Sequence, residues 1–322
     1  MTIAIIGAGI AGLTCASELA RYGHAVTVFD KSRGAGGRMS TRRIATDAGE
    51  ASFDHGAQYF TVRDEQFAAA VAEWEREGLV ARWPHAGEDA WVGVPAMNAL
   101  VKAMTDGLDM HYQALVSGLE QTGRGWLVNT ATEDFGLFDK VIVAIPPEQA
   151  APLLSLHDFE MAREALRARS QPCWTGMFAF DPPLDALPQP IRDHGDISWA
   201  VCNRTKPGRS GPQTWVVQAR PMWSKANLER DKADVEDDLL AMLGEALGQD
   251  LPAPLTATAH RWRFAMSSAT GDEAMWNEEL GLGACGDWLL GPRVECAWLS
   301  GKTLAGCIVS EESAAQPRRA AI

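Results

Sequence analysis

The sequence predicts an α/β protein, a doubly wound sheet joined to a second, α+β domain built on an antiparallel sheet, and three observations predict it. The first is a short apolar run, Ile3 to Ile6, leading through Gly7, Gly9 and Gly12 into a segment of helical periodicity, Ile10 to Tyr22. The second is a later run of the same kind, Val141 to Ile145, stopped by Pro146 and Pro147. Such unalternating runs suit strands covered on both faces, as in parallel sheets. The third is a change of texture from about Ala150 to Pro254, where short strand-like segments are separated by Pro- and Gly-rich connections.

The first element carries chemistry as well as structure. Gly7-x-Gly9-x-x-Gly12 follows a strand and opens a helix whose Leu13, Ala16, Leu19 and Ala20 share one side. Gly7 permits the tight turn, Gly9 lets a pyrophosphate approach the backbone, and Gly12 lets the helix pack on the strand. The helix's unpaired amides and positive end then face the phosphates. Gly23 ends the helix and Ala25 to Phe29 reads as the next strand, with Asp30 at its end. An acid there accepts both hydroxyl protons of an adenosine ribose and repels a 2′-phosphate. Together these residues read as a Rossmann-like dinucleotide site.

Bulk properties narrow the partners. The 322 residues suggest two domains. The formal charge of −13 argues against nucleic acid or an anionic membrane as partner. An anionic small ligand is still compatible, because charges beyond about 8 Å are screened at physiological salt. Six scattered cysteines without a C-x-x-C pair indicate neither structural zinc nor a disulfide framework, and reduced thiols suit a cytoplasmic protein. The apolar N-terminus lacks a basic segment before it, so it does not read as a signal peptide. No run of about 18 apolar residues reads as a membrane span.

Along the chain, Lys31 to Ser40 forms a second glycine cluster directly after the second strand. Glycines there let the backbone pass under a bulky ligand, and Arg38 offers a fork of donors to a phosphate. In Asp54 to Phe60, Gly56-Ala57 allows close approach of something flat, His55 reads as structural, and Gln58 and Tyr59 either touch a ring or pack. Glu65 to Glu77 has helical spacing with Phe67, Val71 and Trp74 in one stripe, and Met97 to Met104 reads as a short helix. Trp83 to Val94 reads as loop or short strand. Met110 to Val116 alternates like a strand, with Trp126 to Val128 as its partner. In the second domain Met177 to Phe180, Ile197 to Val201 and Thr214 to Gln218 read as strands, and Leu228 to Leu247 as a covering helix. His260 to Phe264 ends that domain's last strand; alternation puts His260, Trp262 and Phe264 on one face and Arg261 and Arg263 on the other. The two arginines are candidates for an anionic substrate group. Leu280 to Gly286 reads as a strand, and Gly291 to Glu295 opens a helix running to about Ser310, with a frayed tail from Ala314 to Ile322. Asp287 is placed to hydrogen-bond the polyol or ribose of a long cofactor. The expected division is a cofactor domain of 1–80, 105–150 and 265–322, and a substrate domain of 81–104 and 151–264.

A dinucleotide motif near one end and an Asp-led helix near the other resemble the FAD-binding flavoprotein amine-oxidase superfamily. The resemblance rests on Gly7, Gly9 and Gly12, on Asp30, on Gly36, Gly37 and Arg38, and on Gly286 and Asp287. Val294-Glu295-x-Ala297 with Ser300-Gly301 also resembles the family; the loop departs from it in Arg33-Gly34-Ala35. Within the superfamily the chain is most similar to the renalase family, through Gly36-Gly37-Arg38-Met39 with Thr41, Asp54-x-Gly56-Ala57-Gln58-Tyr59, and Trp262-Arg263. The resemblance implies FAD, held also by Ala11, Lys31 and Met39; noncovalent binding is expected, with Cys285, Cys296 and Cys307 the alternatives for a covalent link. It implies that Val116 and Ala144 to Pro146 line the adenine side, that Ala57, Gln58, Tyr59 and Val294 lie near the flavin ring, and that the helix starting near Arg293, with Ala297 in its opening, stabilises the reduced flavin.

The resemblance further implies a flavin oxidase acting on a small dinucleotide substrate, with oxygen as acceptor. Renalase-like enzymes oxidise 2-dihydro- and 6-dihydro-NAD(P) to NAD(P)+ and release hydrogen peroxide. Such chemistry needs stacking and position more than a proton-transferring side chain, so no general base and no metal is assigned. Tyr59, His260, Trp262 and Arg263 are the substrate-pocket candidates. An amine oxidase is the alternative, although its paired aromatic rings would need partners for Tyr59 other than Tyr22 or Tyr112. A non-catalytic FAD-binding sensor is a second alternative. A plain NAD-dependent dehydrogenase would leave the second glycine cluster and Asp287 idle.

Overall fold

A computed structural model of the protein describes residues 1–315, with side chains to 311. β1 (Thr2–Ile6), α1 (Ile10–Arg21) and β2 (Ala25–Asp30) come first. The hairpin β3 (Thr41–Thr46) and β4 (Gly49–Asp54) follows, then α2 (Glu65–Arg76), β5 (Val80–Arg82), β6 (Trp91–Gly93) and α3 (Ala99–Ala103). Next are β7 (Asp109–Tyr112), β8 (Val116–Thr122), β9 (Gly125–Thr130), β10 (Asp134–Phe138), β11 (Lys140–Val143), α4 (Pro147–Leu154) and α5 (Phe159–Arg167). β12 (Ser170–Phe180), β13 (Ile191–His194), β14 (Ile197–Cys202), β15 (Gln213–Ala219), α6 (Pro221–Ala226), α7 (Lys232–Leu247) and β16 (Thr256–Ser267) follow. β17 (Met275–Asn277), β18 (Leu282–Ala284), α8 (Asp287–Leu290) and α9 (Val294–Ala315) complete the described chain.

The chain divides into two compact units. The first contains Met1–Gly37, Met104–Arg169 and the chain from Ser267 onward. Its main sheet has the order β17-β18-β11-β1-β2-β7, and β17 alone runs antiparallel to its neighbour. Ile5 stands between Ile142 of β11 and Val28 of β2, so the two apolar runs of the sequence are adjacent, and Ile3 to Ile6 and Val141 to Val143 are buried. Ile6, Val141, Val143 and Leu282 share one core with Leu154, Met161 and Ala165 of α4 and α5. That core explains why 151–169, expected in the substrate domain, belong to the first unit. Lys140 is almost fully buried; its ammonium lies 3.0 Å from Glu311 and 4.7 Å from the Trp276 ring centre. Breaking a buried pair costs more than replacing it. Glu311→Ala is therefore expected to cost about 3 kcal/mol, read as a lower denaturant midpoint, with Lys140→Met the milder change.

The second unit comprises Arg38–Ala103 and Ser170–Met266. Its sheet has the order β13-β14-β15-β12-β16. One face packs Trp174, Phe178, Trp215 and Val217 against Val235, Leu239 and Leu243 of α7. The other carries Met177, Ala179 and Val216 against Ala51 and Phe53 of β4. This contact places residues 38–80 in the second unit, where the sequence division had put them with the cofactor domain.

Several boundaries also differ. The single strand expected over 110–116 is two: Gln113 adopts φ 59° after β7, and β8 restarts at Val116. Trp126 and Val128 accordingly pair with Gln121 and Leu119 of β8. The helix expected from Leu228 starts at Lys232, where the Asp231 carboxylate caps the Ala233 amide. The strand expected over 280–286 is reduced to β18. α9 continues past Ser310 through Ala315; the rest of the expected frayed tail, 316–322, lies outside the described residues. Among the described residues no helix is long and apolar enough to cross a membrane, and no cluster of side chains is placed to hold a metal ion.

Candidate functional site

In the first unit the two glycine clusters meet backbone to backbone. Gly7 has φ 113°, and a Cβ there would collide with the Ala144 carbonyl oxygen. A Cβ on Gly12 would collide with the Gly7 carbonyl oxygen. Gly9 differs: it has φ −79°, heads α1 without a side-chain cap, and faces open space. The first intrahelical bond there is Leu13 N to Gly9 O, so the preceding amides project from the helix end. Gly36 N donates to Ala8 O at 3.0 Å, and a Cβ on Gly37 would lie 3.4 Å from Gly9 Cα.

Asp30 is placed at this junction but does more than await a ribose. Its Oδ2 accepts from Ala8 N at 2.8 Å and its Oδ1 from Ser32 N at 2.7 Å. One acceptor site on each oxygen thus holds the two loops, and the remaining lone pairs are left for a diol. At the other end of the chain, Gly286 N donates to Ser300 Oγ at 3.0 Å and the nearly buried Asp287 heads α8. A Cβ on Gly301 would collide with the Ala11 carbonyl oxygen, so α1 and α9 pack in close contact. The uncapped helix end, the open space at Gly9 and the glycine cradle fit a dinucleotide such as FAD. Gly7, Gly9, Ala11, Gly12, Asp30, Gly36, Gly37 and Ala144 are brought together here, while Lys31 is exposed. Val116 and Pro146 stand at the starts of β8 and α4. Arg293 precedes α9, gives two N–H groups to Cys296 Sγ at 3.2 and 3.3 Å, and pairs with Glu295 at 3.2 Å. Val294 and Ala297 lie in the helix turn that follows. All six cysteines are free, and burial pushes the Cys285 thiol up to about 12.

In the second unit Asp54, at the end of β4, is fully buried. Its Oδ2 takes Arg209 Nη2 at 2.5 Å, Arg209 Nε at 3.2 Å and Lys206 Nζ at 3.3 Å. Its Oδ1 takes Thr41 Oγ1 at 2.8 Å and Met97 N at 3.0 Å. Burial alone would raise this carboxyl, but Lys206 and Arg209 outweigh it and hold it below the usual carboxylate range. Burial pulls Lys206 down to about 8 against the opposing pull of Asp54. The expected cofactor contact Gln58 is committed to this network: Nε2 donates to Asp54 O and Gly56 O, and Oε1 accepts from Lys206 at 3.1 Å. Gly56 approaches the Arg38 backbone, where a Cβ would collide with the carbonyl oxygen that also accepts from Ala57 N. That contact gives the small Gly56-Ala57 pair a structural reason besides a flat ligand. Arg38, expected on a phosphate, donates through Nη1 to Ala265 O at 3.1 Å, and Met39 is buried.

Strand alternation along β16 places the remaining candidates. Trp262 Nε1 donates to His55 O at 2.9 Å, and its ring stacks on the His55 ring at 5.1 Å. His260 meets Trp262 edge-on at 4.3 Å and His55 at 5.0 Å. Burial, then the neighbouring His260 and Arg42, hold His55 down at about 3. Burial, then Arg42 and Lys232, hold His260 at about 4. Arg263 is not brought to this cluster: it and Arg261 both bind Glu229 from the opposite face. Tyr59 packs instead against Trp199 at 5.3 Å and Trp83 at 6.4 Å.

The sequence reading missed Arg42, Lys206, Arg209 and Gln218. Gln218 holds the 55–59 segment through a 2.8 Å bond from its Nε2 to Gly56 O. Lys206 and Arg209 sit in a segment read as a connection, and nothing local marks their distant partner.

Residues 5–74 match the family model of the NAD(P)-binding Rossmann-like domain. The 4,4′-diapophytoene desaturases of Staphylococcus haemolyticus (strain JCSC1435) and Staphylococcus aureus (strain Newman) are 55% and 52% identical over 40 residues. Those matches span 12% of this chain and 8% of the length of the curated relatives. The fold is similar to that of cyclohexylamine oxidase from Brevibacterium oxydans IH-35A, with a TM-score of 0.70 at 12% identity over 97% of this chain and 99% of that one. A triple mutant of putrescine oxidase, redesigned in cofactor binding, gives 0.72 at 13% identity over 97% and 100%. Identities this low show a shared fold. Residues 78–309 match the family model described as flavin containing amine oxidoreductase, and the chain belongs to that family.

Proposed function

We propose that the protein is an oxidase with noncovalent FAD that takes a hydride from 2-dihydro- and 6-dihydro-NAD(P) and yields NAD(P)+ and hydrogen peroxide. Bound FAD supplies a two-electron hydride acceptor that molecular oxygen reoxidises, with a proton drawn from solvent. Gly9, the end of α1, Asp30 and Asp287 are the residues that would hold it.

The observation that carries the reading is the neutral ring cluster in which Trp262 stacks on His55 and His260 stands edge-on to both. Imidazoles held at about 3 and 4 are poor proton acceptors at pH 7. A dihydropyridine needs no such acceptor, because its ring nitrogen drives hydride departure. It needs a flat surface, fixed orientation and few competing waters. Trp262 supplies the flat surface in this reading, and His260 stands edge-on beside it.

Mixing the protein anaerobically with each NADH isomer tests the proposal. The 2- and 6-dihydro forms are expected to bleach the flavin absorbance within seconds, and readmitted air to restore it with peroxide. Bleaching by ordinary 4-dihydro NADH alone would sink the reading. A second reading, oxidation of a small amine, is favoured by the match of residues 78–309 to the flavin containing amine oxidoreductase model. Peroxide release from simple amines, with no response to the isomers, would select it.

A further inference from the structure

His260 is held in one tautomer. Its Nδ1 lies 3.4 Å from Arg42 Nη2. A guanidinium has only donors, so Nδ1 must present its lone pair, and the proton of the neutral ring is on Nε2. Nε2 has no hydrogen-bond partner among the described residues. Nor is it a buried, sealed atom, as His55 Nδ1 is. The His260 ring is half-buried and leans edge-on against the Trp262 indole. A reachable N–H of fixed identity therefore stands beside an aromatic face. Burial and the cations Arg42 and Lys232 keep the ring neutral at pH 7, so it offers a neutral donor.

We infer that His260 Nε2–H binds a carbonyl oxygen carried on a flat ring beside Trp262, which for the proposed substrates is the 3-carboxamide of the dihydronicotinamide. This assignment rests on the hydride-oxidation reading above. Arg42 is the positioning residue, acting through the tautomer. The arrangement discriminates by chemistry: an sp² oxygen accepts from a fixed N–H, whereas an ammonium has no lone pair to offer it. Stacking alone would hold the ring but leave its rotation free, and the hydrogen bond fixes which ring carbon is presented.

Two measurements on the FAD-loaded protein test this. Long-range proton–nitrogen spectra of histidine-labelled protein should show His260 as the Nε2–H tautomer, unchanged from pH 8 to 5. Arg42→Met should release it to a mixture. An Nδ1–H ring in the unaltered protein overturns the proposal. The second measurement titrates tryptophan fluorescence with NAD+ and with its analogue lacking the 3-carboxamide. The unaltered protein should prefer NAD+ by about 10-fold, the range for one neutral hydrogen bond. His260→Ala should abolish the preference and His260→Gln, which still offers an N–H, should keep part of it. Equal affinity for the two ligands, or no saturable binding of either, overturns the assignment. Failure of the dihydro isomers to bleach the flavin strikes the hydride reading separately, because the titration needs no turnover.

Discussion

Gly9→Val is expected to purify colourless yet fold normally, and Gly12→Val to lose both colour and fold. The difference follows from what each new side chain meets. Gly9 has a backbone conformation any residue adopts, and a Cβ there meets nothing within 4 Å. The apo protein should keep its melting temperature within about 2 °C, since a half-buried site of ordinary φ with open space at its Cβ costs little. The open space is where a pyrophosphate must approach the amides of α1, so the valine excludes the ligand itself. Affinity for FAD should fall at least about 100-fold, equivalent to roughly 3 kcal/mol. At Gly12 the Cβ would instead collide with the Gly7 carbonyl oxygen and lie 3.1 Å from the Ala144 Cβ. Neither neighbour is a flexible side-chain end, so α1 must move off the β1 turn and the end of β11. Flavin absorbance after gel filtration and the unfolding midpoint of the apo protein separate the two variants. Normal FAD content in Gly9→Val would show that the dinucleotide does not lie on this turn.

The same contrast explains what was legible in the residues. The β1–α1–β2 unit reads correctly because its determinants are local: an apolar run, three glycines with distinct tasks, and an acid at the next strand's end. The two faces of β16 were also legible, since a period of two put His260 and Trp262 together and Arg261 and Arg263 apart from them. What Arg263 binds was not, because Glu229 lies on a different part of the chain. Residues 110–116 misled because alternation continues across Gln113, whose left-handed conformation breaks the strand without a glycine to announce it. The helices α4 and α5 were hidden by Pro147 and Pro152, although Pro147 is at a helix start and Asp158 caps the next one at Met161 N. Asp54 read as the start of a flavin-side motif. Its partners Lys206 and Arg209 are 152 and 155 positions away, and no periodicity spans that distance.

Removing the Asp54 carboxylate is the second large effect expected. The Lys206 side chain is fully buried and that of Arg209 is 2% exposed, so Asp54→Ala leaves two cations without their counter-ion in a dry interior. Deleting one partner of a buried pair costs about 3–5 kcal/mol. Asp54→Asn should cost nearly as much, because the shape is kept while the charge is lost. Two pH signatures separate this from mere loss of packing. The carboxyl titrates lower in the native state than in the unfolded chain, where it sits near 3.9. Its stabilisation is therefore complete above about pH 5 and is lost as pH falls through the acid range. Asp54→Asn should flatten that acid limb. At high pH the variant's deficit should shrink: without Asp54, Lys206 falls further below its present value of about 8 and can shed its proton, whereas Arg209 cannot. Lys206→Met in the Asp54→Asn background should recover part of the loss at pH 7. Denaturant midpoints for the four proteins between pH 3 and pH 10 test this. A deficit in Asp54→Asn that is independent of pH and untouched by Lys206→Met would mean that the carboxylate serves the hydrogen bonds of Thr41 and Met97 rather than the buried charges.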